Sequence, residues 1–267
     1  SVPAACLPTS FTGDNNHDGI LTGADCDRYR RDSWSNVSYT IGADYNISDD
    51  VMIYARQSRG YRAGAEQLRS LTLNDNAPAN PEIVNEQEVG IKTSLFDKRI
   101  RFNLAGYHNT VKGAQRSVIL VVSGVQQTIL ENADTRNWGF EGELSATVTD
   151  GLDLFAGYAY TNPKYTKYDG YVVANNVLTP FDKKEYAFVT IVKNQFMVGG
   201  TFTRDLGPVR LEANANYAWQ DKMTQIAEPL AVLVRPAAQG GAGIGSTASA
   251  QALLDAGTTK SYGITNA

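Results

Sequence analysis

Apolar and polar residues alternate along this chain in eight separate runs, most of them joined by tight polar turns. The clearest run is Val209-Arg210-Leu211-Glu212-Ala213-Asn214-Ala215-Asn216-Tyr217, apolar at odd positions and charged or amide at even ones. Strand side chains point alternately to two faces, so such a run has one oily face and one wet face. An earlier run sets Val37, Tyr39, Ile41, Ala43, Tyr45 and Ile47 against Asn36, Ser38, Thr40, Gly42, Asp44 and Asn46. The pattern predicts strands over 33–47, 51–63, 85–96, 99–118, 126–149, 152–165, 188–205 and 208–220.

Two kinds of connection alternate between these strands. Ser48-Asp49-Asp50, Asp97-Lys98, Asp150-Gly151 and Leu206-Gly207 are tight hairpin turns, built from residues that tolerate unusual backbone angles. The links at 64–84, 119–125, 166–187 and 221–259 are longer. Short turns on one rim, long loops on the other, and aromatic residues near strand ends predict an antiparallel up-and-down transmembrane β-barrel segment. A soluble sandwich or small barrel also alternates, but it seldom repeats long strands with Arg, Glu and Asn on the second face. The lipid-facing candidates include Val89, Ile91, Thr93, Leu95, Phe102, Leu104, Leu144, Ala146, Val148, Leu154, Ala156, Tyr158 and Tyr160. The lumen candidates are Glu88, Lys92, Arg101, Asn103, Glu141, Glu143, Arg210, Glu212, Asn214 and Asn216, a mixed polar wall suited to cross-strand ion pairs. Trp34, Trp138 and Trp219 are expected near strand ends on the long-loop side. In the last long link, Gly240 to Gly245 lacks the strand–loop–helix context of a nucleotide loop. Residues 247–256 have helix-forming composition, yet the link as a whole is expected to be a surface loop.

Several segments carry words of a known family. Tyr54-Ala55-Arg56-Gln57-Ser58-Arg59-Gly60-Tyr61-Arg62-Ala63-Gly64 resembles a segment of TonB-dependent outer-membrane receptors. Asn80-Pro81-Glu82 followed by Glu88-Val89-Gly90-Ile91-Lys92, the strand Arg99 to Tyr107, and Glu131-Asn132-Ala133 with Gly139-Phe140-Glu141-Gly142-Glu143-Leu144 are similar to later words of that family, in family order. Tyr262 to Ala267 resembles the opening of a further strand. The resemblance implies a barrel of about 22 strands filled by an N-terminal plug domain. This chain carries neither the plug nor the last strands, so 33–267 is expected to be a partial barrel of about eight strands, roughly a third of the whole. It also implies partners: outer-membrane lipid, an extracellular small-molecule ligand such as a siderophore, cobalamin or oligosaccharide, and the TonB energy-coupling complex acting through the plug. The cell outer membrane of a Gram-negative bacterium is the implied location.

Composition neither contradicts this nor adds a catalytic centre. The 267 residues are 42% hydrophobic with mean hydropathy −0.30, and no apolar stretch reaches the length of a membrane helix. Barrels escape that test because every second residue faces the lumen. A net charge of −4 and pI near 5.3 argue against a nucleic-acid partner. The chain begins at Ser1, as expected of a mature or truncated piece. His17 and His108 are the only histidines, with no Ser or Cys nucleophile framed near either. Glu141 and Glu143, two apart on one strand, are expected to be a lumen pair rather than a glycosidase pair. No enzyme activity is expected.

Residues 1–32 are expected to form an extracellular loop with chemistry of its own. Asp14-Asn15-Asn16-His17-Asp18-Gly19-Ile20-Leu21-Thr22-Gly23-Ala24-Asp25 places oxygen donors in calcium-loop register. Asp14, Asn16, Asp18, the Ile20 carbonyl, Thr22 through water, and Asp25 are the expected Ca2+ ligands; Gly19 allows the sharp turn. Asp rather than Glu at the last position resembles dockerin-type loops. Cys6 and Cys26 flank the motif and are expected to form a disulfide around it. A second functional reading follows from this motif: a calcium-dependent surface binding or adhesion module on a β scaffold.

Overall fold

The computed structural model describes residues 32–66, 78–122 and 124–266. In chain order the strands are β1 (Tyr39–Ser48), β2 (Val51–Arg62), β3 (Glu82–Leu95), β4 (Ile100–Val122), β5 (Val125–Thr149), β6 (Leu152–Thr161), β7 (Lys164–Lys167), β8 (Asp169–Ala174), β9 (Val177–Asp182), β10 (Asn194–Leu206), β11 (Val209–Gln220) and β12 (Met223–Thr224). Helices α1 (Leu230–Leu233) and α2 (Thr247–Ala256) follow, then β13 (Thr258–Thr259) and β14 (Tyr262–Asn266). One large antiparallel sheet runs β1-β2-β3-β4-β5-β6-β10-β11-β14, with β7 also paired to β5. Among the described residues β1 and β14 are its unpaired edges. The pairs β8–β9 and β12–β13 stand apart as small hairpins. No described helix is long and apolar enough to cross a membrane.

Register carries the alternation from strand to strand, because directly opposed residues share a face. Tyr45, Ile53, Ile91, Leu104, Gly142, Tyr158, Phe196 and Trp219 form one continuous cross-strand row. Thr93, Phe102, Leu144, Ala156, Val198 and Tyr217 form the next. All these rows lie on one apolar face, and no second layer covers it: Ile41 is 68% exposed, Val209 60% and Val89 59%. An uncovered apolar face of this extent is far larger than the patches soluble proteins expose. Aromatic rings bound it on the long-loop side. Trp138 and Tyr160 lie 5.1 Å apart between centroids, Phe140 and Tyr158 5.5 Å, Phe196 and Trp219 5.5 Å, and Phe196 and Tyr217 5.9 Å.

The opposite face is polar. Arg56 pairs with Glu88 at 2.7 Å and Glu86 at 3.8 Å, and Arg62 with Glu82 at 3.4 Å. Lys92 lies over the Tyr54 ring at 5.5 Å, so it does not pair with Glu88. The same Tyr54 ring covers Gly90; a Cβ there would sit 2.5 Å from it, so only glycine leaves room.

Turns at 49–50, 96–99, 150–151 and 207–208 make up the short-turn rim, as the sequence predicts. The other rim departs from expectation in three places. The predicted link 119–125 is a two-residue turn, since β4 runs on to Val122 and β5 restarts at Val125. The predicted strand 152–165 stops at Thr161, because Pro163 has no backbone N–H to continue a ladder; β7 then resumes against β5. The predicted strand 188–205 starts only at Asn194. Thr190 has φ +59° and donates its N–H to the Thr224 carbonyl at 2.9 Å, so this stretch turns away to meet the last long link. The last long link holds a helix over the residues whose composition allows one, 247–256: α2 is capped by Ser246, whose hydroxyl accepts from the Ser249 N–H. Trp219 lies near the end of β11 on the long-loop side and Trp34 just before β1, as expected, but Trp138 sits within β5 at the height where β6 ends.

Candidate functional site

Above the aromatic ring row, β4 and β5 project past their neighbours as a long hairpin. A bulge marks where they leave the common sheet: Lys112 and Gly113 together oppose Asp134, and Gly113 adopts φ +69°. The Gly113 N–H donates to Asp134 Oδ1 at 2.9 Å, and a Cβ on it would meet the Pro81 carbonyl at 2.5 Å. Asn132 locks this corner. Its Oδ1 accepts the Asn80 N–H at 2.7 Å, while Nδ2 donates to the carbonyls of Asn80 at 3.1 Å and Gly113 at 2.6 Å. Glu82 Oε1 accepts the Gln115 N–H at 2.6 Å, and Gln115 Nε2 reaches the Ala63 carbonyl at 2.8 Å. The side-chain amide thus pairs with Asn80 as a strand neighbour would.

The polar face of this hairpin is covered by β8–β9. Ile129, Glu131, Ala133, Thr135 and Ala114 are buried beneath it, with Tyr168, Ala174 and Lys183 from the covering segment. At the centre Lys183 Nζ contacts both Glu131 carboxylate oxygens at 2.9 Å, and the two side chains are only 4% and 1% exposed. Glu131 Oε1 also accepts the Tyr171 N–H at 2.7 Å. Lys183 lies over the rings of Tyr168 at 5.4 Å and Tyr186 at 6.0 Å. Burial, reinforced by the Glu131 charge, pushes the Tyr168 hydroxyl far above its ordinary pKa. Burial, then Glu228 and Glu131, pushes Tyr186 up to about 12. Arg116 lies over Phe188 at 5.1 Å and Tyr165 at 5.5 Å, themselves stacked at 4.3 Å. The last long link packs against this covering segment: Arg235 lies 4.8 Å from the Phe181 ring, and the Ala187 N–H donates to the Ala227 carbonyl at 2.7 Å.

Between the 162–193 segment and that link lies a cavity of about 650 Å³. Tyr165, Tyr186, Phe188 and Ile191 supply ring and aliphatic surface; Lys164, Lys184, Lys193 and Lys222 supply cations; Asp221 and Glu185 supply carboxylates. Asp221 is held below its ordinary pKa by hydrogen bonds from the Asn194 amide at 3.0 Å and the Lys222 N–H at 2.7 Å. Asn194 also accepts from the Tyr158 hydroxyl at 2.7 Å, tying the cavity floor to the aromatic row.

Lower on the polar face, Glu141 and Glu143 line a second cavity of about 400 Å³ with Gln195, Met197, Gln220 and Tyr262. Their cross-strand neighbours are Ala105, Ala159, Asn103 and Gly157, so no cation stands opposite either carboxylate.

The chain matches the family described as TonB dependent receptor-like, beta-barrel, over residues 9–267. It belongs to the TonB-dependent receptor family. A metal-pseudopaline receptor of Pseudomonas aeruginosa is 27% identical over 132 residues, covering 48% of this chain and 17% of that protein. Two solved structures share the fold at low identity. The ferric preacinetobactin receptor of Acinetobacter baumannii matches with TM-score 0.55 at 15% identity, over 85% of this chain and 28% of its own. The copper transporter OprC matches with TM-score 0.58 at 14% identity, over 85% and 30%. The chain therefore spans less than a third of the length of each.

In this TonB-dependent barrel segment the expected lumen residues Glu88, Lys92, Arg101, Asn103, Glu141, Glu143, Arg210, Glu212, Asn214 and Asn216 all share the polar face by register. Glu141 and Glu143 lie together on that face, and the family is one of receptors and transporters. The expected calcium ligands Asp14, Asn16, Asp18, Ile20, Thr22 and Asp25, and the pair Cys6 and Cys26, lie outside the described residues. Among the described residues no group of His, Cys, Asp and Glu could hold a metal ion. Sequence reasoning passed over Lys183, Tyr186 and the Lys184–Lys193–Lys222 set, which come from the long links. The only local signal was the recurrence of Tyr, Phe and Lys across 164–193.

Proposed function

We propose that this chain is part of an outer-membrane receptor of a Gram-negative bacterium that imports an anionic metal chelate of siderophore type by TonB-coupled transport. Its short turns face the periplasm and its long loops the exterior, and a plug domain in the lumen relays energy from the TonB complex. The carrying observation is the loop cavity, where four lysines surround aromatic surface. Ammonium groups attract the net negative charge of a metal–chelate complex, and rings stack on its planar ligand arms. The similar proteins support the class: they include receptors for metal-pseudopaline and ferric preacinetobactin. Glu141 and Glu143, without a cation opposite them, support contact with basic plug side chains.

Uptake of radiolabelled ferric chelates by cells carrying the full-length receptor tests this. Lys184→Gln with Lys222→Gln should weaken uptake on the order of tenfold at unchanged surface amount, and loss of TonB should abolish it. A receptor that takes up no anionic metal chelate, or does so without TonB, defeats the proposal.

We also propose that residues 14–25 bind Ca2+ through Asp14, Asn16, Asp18, the Ile20 carbonyl, Thr22 and Asp25, with a Cys6–Cys26 disulfide closing the loop. Affinity belongs in the weak extracellular range, about 10⁻⁵ to 10⁻³ M. Asp14→Ala should abolish calcium binding in calorimetry and His17→Ala should leave it; equal loss from both contradicts the ligand set. The alternative of a calcium-dependent adhesion module on a soluble scaffold leaves the open apolar face of β10 and β11 without a role.

A further inference from the structure

Beneath the β8–β9 cover, one carboxylate stands between two cations. Arg116 of β4 and Glu131 of β5 are directly opposed in the ladder, so their side chains leave the same face of the hairpin. Opposed residues have Cβ atoms about 5 Å apart, within reach of an ion pair. Yet Glu131 gives both its carboxylate oxygens to Lys183, which arrives with the covering segment from 52 residues further along the chain. Arg116 turns away instead. Its guanidinium lies 5.1 Å from the Phe188 ring and 5.5 Å from the Tyr165 ring. Its Nε is buried without a hydrogen-bond partner, and among the described residues Arg116 forms no ion pair.

The covered arrangement therefore carries two penalties. Lys183 and Arg116 face a single carboxylate, and burial keeps the neighbouring Tyr168 hydroxyl protonated, so the cluster holds one positive charge in excess. The buried Nε donor is also unpaired. Excess charge and an unpaired donor both disfavour the dry state that holds them. Lifting the cover relieves both. Lys183 leaves with its segment into water, and Arg116 remains opposite Glu131, where a guanidinium can fork two N–H groups onto a carboxylate. The uncovered hairpin is then neutral, with its carboxylate still paired.

We propose that Glu131 is the shared contact of a two-position switch: with the cover down it holds Lys183, and with the cover raised it holds Arg116, which swings off the Tyr165–Phe188 pair. Two discrete ion pairs on one carboxylate give the cover two defined positions. Tyr165 and Phe188 line the loop cavity, so the same swing frees one wall of that cavity. The switch sets how readily the cover lifts, and it stands whether or not the cavity takes a metal chelate.

Hydrogen–deuterium exchange of the full-length receptor in nonionic detergent, with no ligand added, reads the opening through the amides of 168–182. Arg116→Gln should slow their exchange roughly fivefold, because the raised state loses its ion pair and the lowered state loses an unpaired cation. Arg116→Met is a second neutral variant with the same expected slowing. Arg116→Lys keeps a cation opposite Glu131 and should return exchange to within about twofold of wild type. In a Glu131→Gln background, Arg116→Gln should lose most of its slowing effect, since neither position of the switch remains. An arginine that only packs on the two rings predicts the reverse: its removal loosens the cover, with or without the Glu131 charge. The heat-modifiable gel shift of a folded barrel confirms that each variant folds. Faster or unchanged exchange in the neutral variants, or the same slowing in both backgrounds, overturns the proposal.

Discussion

Replacing Lys183 by Met should release the β8–β9 cover from the projecting hairpin while leaving the barrel wall intact. The substitution keeps the length of the side chain but removes the ammonium that contacts both Glu131 oxygens at 2.9 Å. With both side chains at 4% exposure or less, the carboxylate is left in a dry site with neutral donors such as the Tyr171 N–H but no cation. Breaking a buried pair from one side costs about 3–5 kcal/mol, because an uncompensated charge remains. Removing both charges with Lys183→Met and Glu131→Leu should recover most of that loss, since the intact pair itself gains little over an apolar replacement. Hydrogen–deuterium exchange of the full-length receptor reads the effect: amides of 168–186 should exchange at least a hundredfold faster in the single variant, near wild type in the double variant, and unchanged in β10 and β11. Unchanged exchange in the single variant, or a double variant as loose as the single, would refute the view that this pair anchors the cover.

Asn132→Ala removes three hydrogen bonds to Asn80 and Gly113, a loss of about 2–4 kcal/mol, seen as faster exchange at residues 78–81. Leu211→Arg on the apolar face should cost about 2–4 kcal/mol in urea unfolding from lipid, whereas Asn214→Arg on the polar face should cost little. Tyr186, with its folded pKa raised to about 12, contributes stability that is intact below the unfolded value near 10 and is lost as pH rises through about 12. Tyrosinate absorbance should therefore show an ionisation step near pH 12 that disappears in Tyr186→Phe, while the later ionisation of Tyr168 remains.

The faces and the short-turn rim were legible because period-2 alternation survives wherever one face meets an apolar medium and the other a polar one. Val209 to Tyr217 needs no tertiary information to be placed. The long-loop rim was less legible because its contacts are distant in sequence. Glu131 and Lys183 are 52 residues apart, and neither looks unusual in its own neighbourhood. Phe188 to Val192 has strand composition, yet Thr190 turns left-handed to bond Thr224, and Phe188 stacks on Tyr165 instead of joining the sheet. The extension of β4 and β5 past the apolar band was hidden for a related reason. Its buried face continues the polar face but is closed by β8–β9, so apolar Ile129 and Ala133 stand beside Glu131 where alternation would call for polar residues. Asn80 and Asn132 lie within two of the segments that carry the family resemblance, but only the fold shows that they bond each other.

Site-directed spin labelling along β11, in the full-length receptor reconstituted into liposomes with Cys6 and Cys26 replaced by Ser, tests the central claim most directly. Labels at 209, 211, 213, 215 and 217 should be accessible to lipid-soluble oxygen and shielded from a water-soluble nickel chelate, and labels at 210, 212, 214 and 216 should not show that lipid signature. Odd positions equally open to the nickel chelate, or odd and even positions without a period of two, would contradict a lipid-facing barrel wall.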